Sequence, residues 1–286
     1  MSKPYIVSAD IRLLMKTWAM ERGFALPAEE FFCQLRKEFS DHLRGIFSNF
    51  ELVSEDEISH GLANLTAKNS LPTISLDRVY FESKLNLEIT RLVDGNGTDQ
   101  GLTHRPGTPS LAQQIRELRM SGVREVIIVD DVIFTGVLLE RIIALLSEIN
   151  IRVPLVCAGV GITEGINCVA GTKREIHCVR VYKEVIDEVC ERDFYPGVPL
   201  SGRLLTRSDN TGVPYLLPFG KPENWASIPS ERAVTFSKFC IHQTLALFHE
   251  IERCSGKPIL CQDLGRKVVG LPTDGTRYVD ALREIL

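Results

Sequence analysis

Two adjacent carboxylates, Asp130 and Asp131, follow the apolar run Val126, Ile127, Ile128, Val129 and precede Val132, Ile133, Phe134, Thr135 and Gly136. From Val137 the chain reads as a helix, VLLERIIALLSEI. Backbone amides from Ile133 through Phe134, Thr135, Gly136 and Val137 to Leu138 would converge on one small space at that helix start. Unpaired N–H groups and the helix dipole make such a space suited to a phosphate. Gly136 lets the backbone come close, and the Thr135 hydroxyl offers one more donor. Asp130 and Asp131, a short turn away, can accept hydrogen bonds from vicinal hydroxyls. A phosphate and a diol a sugar's width apart describe a ribose 5-phosphate. The plainer alternative is a buried strand whose two acids cap the next helix, although one cap needs only one acid.

The elements that must hold these residues follow from periodicity. A continuous apolar run is the pattern of a strand buried on both faces of a parallel sheet, and ligands of open α/β sheets bind at the strands' carboxyl ends. Val153–Ile162 and Glu175–Tyr182 read as further strands. Strand, helix and strand in succession predict an α/β fold with a doubly wound, largely parallel, right-handed sheet. A glycine-rich turn, GVGITEG, is expected after the first of them; it lacks the G-x-G-x-x-G spacing of a dinucleotide site.

Three domains are expected: a helical amino-terminal arm over 1–70, an α/β core over 71–207, and a lid with a helical cap over 208–286. In the arm, Asp10 is placed as the cap of a helix with Ile11, Leu14, Met15 and Trp18 on one stripe, stopped by Gly23. Pro27 suits the first turn of a second helix, and Ser54 with Glu57 forms a capping-box pattern for a third. Ile74 and Leu76, then Leu85, Leu87 and Ile89, alternate as half-buried strands. Residues 94–109 (DGNGTDQGLTHRPGTP) hold four glycines and two prolines and read as a loop carrying His104 and Arg105, either a functional cover or a plain connector. Ser110 caps a helix through about Met120. In CERDFYPGVPLSGRLL, Glu191, Arg192, Asp193 and Arg203 surround an aromatic pair and a Pro-Gly turn, the alternative to chemistry being a local ion pair. Pro214–Pro229 reads as a packing arm or lid, 230–255 as a long, largely buried helix ended by Gly256, and 277–286 as a terminal helix. His242 and His249 lie seven apart, where a helical metal pair needs i and i+4.

Composition bounds the function class. The 286 residues are 44% hydrophobic and 24% charged with net charge −4, the balance of a soluble globular protein without a broad basic field. Three short amphipathic helices could read DNA, but Asp10 to Lys68 holds seven basic and ten acidic residues, which favours packing or partner docking. Eight cysteines are scattered without a C-x-x-C pair, no secretory signal or membrane-length apolar stretch is visible, and a reduced cytoplasmic protein is expected.

VIIVDDVIFTG resembles the phosphoribosyl pyrophosphate (PRPP) motif of type I phosphoribosyltransferases: apolar strand, two acids, two mostly apolar positions, then a Thr-Gly phosphate loop. Phe134 stands where several members carry a third acid or a hydroxyl, and Val137 and Leu138 where a further hydroxyl is usual. The resemblance implies action at ribose C1, by phosphoribosyl transfer or N-glycosidic cleavage, through an oxocarbenium-like transition state. Asp130 and Asp131 would hold the ribose hydroxyls and residues 133–138 the 5′-phosphate. Arg105 would lie on the loop that covers the site, and Asp193 in the base-binding hood as an acid toward the metal. Mg²⁺ would arrive on the substrate's pyrophosphate, with no protein metal cage required. A different class of function is a non-catalytic sensor that binds a nucleotide or PRPP and reports to a protein partner through the helical arms. The missing third acid and the lack of a short basic, glycine-containing turn after the first strand favour it. The longer arrangement of helical arm, PRPP motif, ERDFYPG segment and PFG-x-P-x-x-W-A lid is similar to phosphoribosyltransferase-like proteins of bacterial anti-phage systems, retron cassettes among them. That likeness implies an antiviral effector that depletes or modifies nucleotides and is held in check by a partner.

Overall fold

The structure, a computed structural model, describes residues 2–171 and 174–286. The chain begins with β1 (Tyr5–Ser8), α1 (Ile11–Arg22), α2 (Glu29–Arg44), β2 (Phe50–Val53) and α3 (Glu55–Thr66). Then come β3 (Thr73–Ser75), β4 (Leu85–Asn86), β5 (Ile89–Val93), β6 (Asp99–His104) and α4 (Leu111–Met120). The motif region follows as β7 (Glu125–Ile133), α5 (Val137–Glu148), β8 (Arg152–Ile162), α6 (Thr163–Ala170) and β9 (Glu175–Tyr182). The remainder is β10 (Asp187–Cys190), a 3₁₀ turn (Glu191–Phe194), β11 (Arg203–Leu205), β12 (Thr211–Val213), α7 (Pro222–Trp225), α8 (Ser230–Ser255), β13 (Lys267–Val268) and α9 (Tyr278–Arg283).

These elements form two compact units. One comprises 53–90 with 102–185, the other 1–52, 91–101 and 186–286, and the chain passes between them within β2, β5 and β6 and again between β9 and β10. This partition differs from an arm, a core over 71–207 and a cap. The third helix belongs with the sheet of the first unit, because α3 packs on β8 and β9. Residues 186–207 belong with the terminal segments, because β10 pairs in parallel with β1.

The first unit is built on a five-stranded sheet in the order β4-β3-β7-β8-β9, every neighbouring pair parallel. It is therefore α/β and largely parallel, as the apolar strand runs predict. On β7, Val126 and Ile128 join Ile74, Val156 and the Leu139, Ile142, Ile143 and Leu146 stripe of α5 in one core. Ile127 and Val129, equally buried, alternate to the other face of the strand. Ser54 accepts from the Glu57 amide at 3.2 Å to start α3, while the Glu57 carboxylate turns to Arg180 rather than closing a capping box. Ser110 caps α4 through the Gln113 amide, as its position predicts.

Two segments depart from the sequence reading. The glycines of GVGITEG form no turn: Gly159 and Gly161 lie inside β8, and α6 follows at once. A Cβ at Gly159 would lie 2.7 Å from Ile58 Cγ2 and 2.8 Å from the Asp131 carbonyl, so close packing explains the glycine. The stretch 94–109 is not one loop. Asp94 Oδ1 accepts from the Asn96 and Thr98 amides, Gly97 takes φ +75°, and this tight turn returns the chain as β6 beside β5. Glycine richness marks a turn at its start and not an unstructured cover.

The second unit holds the sheet β10-β1-β2, and β11, β12 and β13 pair in series beside β5. Its aromatic core includes Phe39, Phe194, Tyr195, Phe236, Phe248 and Tyr278. Asp10 does not cap α1 with its side chain; it accepts from Arg192 Nη1 at 2.7 Å and from the Arg192 amide at 2.9 Å. The amides of Asp10 and Ile11 are instead received by the fully buried Glu191, which also binds Arg36 at 3.0 Å. The α8 helix spans the expected residues and ends at Gly256 in the left-handed region. Among the described residues, no helix is long and apolar enough to cross a membrane.

Candidate functional site

The site begins where β7 stops. β7 does not end at the two acids: it pairs with β8 onward through Val132↔Val160 and Ile133↔Gly161. The acids therefore sit on a hydrogen-bonded strand, and the loop proper is only Phe134, Thr135 and Gly136. Phe134 is half-buried and Thr135 exposed. Gly136 adopts φ +78°, a left-handed conformation that favours glycine, and serves as the N-cap of α5 without any side-chain cap. The first α-helical hydrogen bond runs from the Glu140 amide to the Gly136 carbonyl at 3.0 Å, so the amides of Val137, Leu138 and Leu139 precede it. Val137 is 51% exposed and Leu138 half-buried.

Packing from α6 sets the shape of this loop. A Cβ on Gly136 would lie 2.8 Å from the Gly165 carbonyl and 2.9 Å from Val169 Cγ2. A Cβ on Gly165 would lie 2.2 Å from the Phe134 carbonyl. The two glycines thus let loop and helix interlock. The close approach that requires glycine at 136 is made by the protein's own backbone and not by an open ligand space, so Gly136→Val would disturb packing before it reported on binding.

Asp130 is 6% exposed and Asp131 half-buried. Asp130 Oδ1 accepts from the Asp131 amide at 3.0 Å, and Asp131 Oδ1 from the Val132 amide at 2.8 Å. Burial pushes the Asp130 carboxyl well above the usual range, and the Asp131 and Asp77 carboxylates push it further. Burial and the neighbouring like charges both disfavour the ionised form of Asp130.

Asp77 and Arg78 are functional candidates that the sequence reading passed over. They follow β3, whose Ser75 pairs with Val129, and the Leu76 amide donates to the Val129 carbonyl at 2.9 Å. That places Asp77 at the carboxyl end of the strand beside the motif. An acid and a base directly after a strand were the available signal. Arg105 belongs to the same neighbourhood in a bracing position. Its guanidinium donates to the Ile89 carbonyl at 3.0 Å and the Leu76 carbonyl at 3.3 Å, and lies 3.7 Å from Asp77 and 3.5 Å from Glu88. Arg78 bonds Glu88 at 2.7 Å. Arg105 thus fastens the end of β3 to the start of β5. The Asp130, Asp131 and 133–138 set lies in one unit with Asp77 and Arg105.

Asp193 lies in the other unit. Its Oδ1 accepts from the Gly202 amide at 2.8 Å and its carbonyl from the Tyr215 amide at 3.0 Å, with burial raising the carboxyl's pKa against the opposing Arg192 charge. There it holds a turn in place. Glu191 and Arg192, for which a local ion pair with one another is the alternative to chemistry, are instead buried and bound to Arg36 and Asp10. Arg203 stacks over Trp225 at 4.7 Å and Tyr215 at 5.5 Å. Among the described residues, no three His, Cys, Asp or Glu side chains gather as a metal site.

No family model matches the chain, and no curated protein matches its sequence. Among solved structures it is similar to adenine phosphoribosyltransferase from Thermoanaerobacter pseudethanolicus, at 14% identity and TM-score 0.29, over 44% of this chain and 79% of that one. It is likewise similar to adenine phosphoribosyltransferase from Rhodothermus marinus, at 16% identity and TM-score 0.28, over 44% and 77%. Orotate phosphoribosyltransferase from Aeropyrum pernix gives 17% identity and TM-score 0.25, over 44% and 68%.

Proposed function

We propose that the chain binds a 5-phosphoribosyl group, as PRPP or a nucleotide, with the phosphate on the Phe134–Leu138 turn and the ribose hydroxyls on Asp130 and Asp131, and that it acts at ribose C1. One observation carries this reading. A buried acid beside a half-buried one and an uncapped helix start stand a few residues apart at the carboxyl end of a parallel strand. Asp131 accepts from a hydroxyl, and Asp130, once it releases its proton, accepts from the neighbouring one. The amides of Val137 and Leu138 and the Thr135 hydroxyl donate to phosphate oxygens. For an oxocarbenium-like transition state the protein's contribution is position and fixed charge, with Asp131 supplying the negative charge. The donor set fits Mg²⁺ only as a cation brought by pyrophosphate: its remaining ligands would be water and phosphate, with the Asp130–Asp131 pair within reach of the same ribose.

Calorimetric titration of PRPP with Mg²⁺ into wild type, Asp131→Asn and Thr135→Val tests the assignment. Asp131→Asn removes a charged acceptor and should cost about 1.5–3 kcal/mol, roughly tenfold to a hundredfold in affinity. Thr135→Val should cost about 0.5–1.5 kcal/mol, because the backbone donors remain. Equal affinity in all three proteins would remove the site.

A second reading is binding without turnover, with the helical segments of 1–70 reporting occupancy to a partner. Phe134 and the exposed Val137, where a reactive site would bring further polar groups, favour it. Release of pyrophosphate from PRPP separates the two. The likeness to anti-phage effectors adds a cellular role, nucleotide depletion. Expression of the wild type should then slow growth and the Asp130→Asn, Asp131→Asn double variant should not; equal arrest by both would detach the effect from this pocket.

A further inference from the structure

Beyond the ligand site, the parallel sheet of the first unit ends very differently at its two edges. β4, at one edge, has two residues, while β9, at the other, has eight. The register of β9 on β8 runs from Leu155↔Glu175 to Ile162↔Tyr182 without a shift. Among the described residues no strand lies beyond β9. Edge strands are ordinarily kept short, bulged or broken by proline, since a long regular edge offers unpaired N–H and C=O groups to another strand. β9 is neither short, bulged nor broken by proline; its protection is charge alone, at Glu175 and Arg180, and Val181 on it is 59% exposed. α3 packs on β8 and β9, α6 also packs on β9, and neither element adds a strand to the open edge.

We propose that β9 is a homodimer edge: two copies of this chain pair β9 with β9 antiparallel about a twofold axis at Val179, joining the two sheets. The charges choose this occupant and register. A twofold axis perpendicular to the sheet keeps each face on its own side, so residues opposite one another share parity and the axis must run between one residue and its own copy. Centred on Val179, the pairing sets Glu175 against Lys183 of the other copy at both ends, His177 against Val181, and Ile176 against Tyr182. Centred on Cys178 it would set Glu175 against Val181, and centred on Arg180 it would set Arg180 against itself. Glu175 has a 77% exposed side chain, with His177 Nε2 on the same strand 3.6 Å from it. Lys183 is exposed. Backbone pairing would supply the affinity and the two Glu175–Lys183 pairs the register.

Sedimentation equilibrium across a concentration series tests this with the full chain and three variants, each checked for an unchanged circular dichroism spectrum. The wild type should sediment as a monomer–dimer system. Glu175→Lys and Lys183→Glu each turn both end pairs into like charges and should weaken dimerisation by roughly tenfold or more. An equimolar mixture of the two single variants restores both opposite-charge pairs and should form a heterodimer of wild-type affinity, as should the homodimer of the Glu175→Lys, Lys183→Glu double variant. A wild type that stays monomeric at its highest concentration, a dimer indifferent to either reversal, or a mixture no tighter than its components would overturn the proposal.

Discussion

At the scale of single residues the site turns on one proton. Asp130 is enclosed at the end of an apolar strand, with Asp131 and Asp77 beside it, and its raised pKa means that the folded chain keeps a proton the unfolded chain releases above about pH 4. Stability therefore falls as pH rises from that value through the folded-state pKa, and the loss is complete above it. Asp130→Asn keeps the shape without the titration. Its melting temperature should exceed the wild type's at about pH 8, and the gap should close as pH falls toward about 4. A gap independent of pH would mean that Asp130 is ionised in the free protein. The acid pair itself was legible in the sequence, because two carboxylates after four buried aliphatics are costly without a task. Its third member was not: Asp77 is 53 positions earlier, and only the β3–β7 register, Ser75↔Val129, brings it near. Arg105 was found for its place on a glycine-rich stretch, and the structure gives it a bracing position instead, since Asp77, Glu88 and two carbonyls surround its guanidinium.

At the scale of elements the phosphate turn is held by an interlock between the β7–α5 loop and α6. Helical periodicity and the apolar runs made β7, α5, β8 and α8 readable, because each buries apolar residues against the core, and β9 was readable from its β-branched composition. α6 escaped, since its glycine-rich start reads as a turn. Gly165 has no left-handed dihedral, so alanine there would ordinarily favour the helix by about 0.5–1 kcal/mol. Its Cβ, however, meets the Phe134 carbonyl at 2.2 Å. Gly165→Ala should therefore lower stability by about 1–3 kcal/mol and, by shifting the Phe134 peptide, weaken phosphate binding as well. A rise in melting temperature, as for an exposed helical glycine, would contradict the interlock. The 94–109 stretch teaches a related point: Asp94 side-chain bonds and Gly97 convert a loop-like composition into a turn, and strand pairing then organises Asp99–His104.

At the scale of the molecule, the unit that carries the acid pair is continuous in neither sequence nor composition. The partition depends on contacts that no local pattern reveals: β1 beside β10, and Glu191 receiving amides from Asp10 and Ile11 some 180 positions away. Each unit nonetheless has its own core, and the proposed phosphoribosyl site is assembled from one unit alone. The most direct test is to follow backbone amide resonances of the full chain by NMR while ribose 5-phosphate is added, without Mg²⁺ or a base. Saturable shifts are expected at Thr135, Gly136, Val137 and Leu138, together with Asp131 and Val132, and they should require markedly more ligand in Asp131→Asn. Shifts confined to other segments, or none at concentrations that saturate a phosphate site, would contradict the claim that this turn and this acid pair receive a phosphoribosyl group.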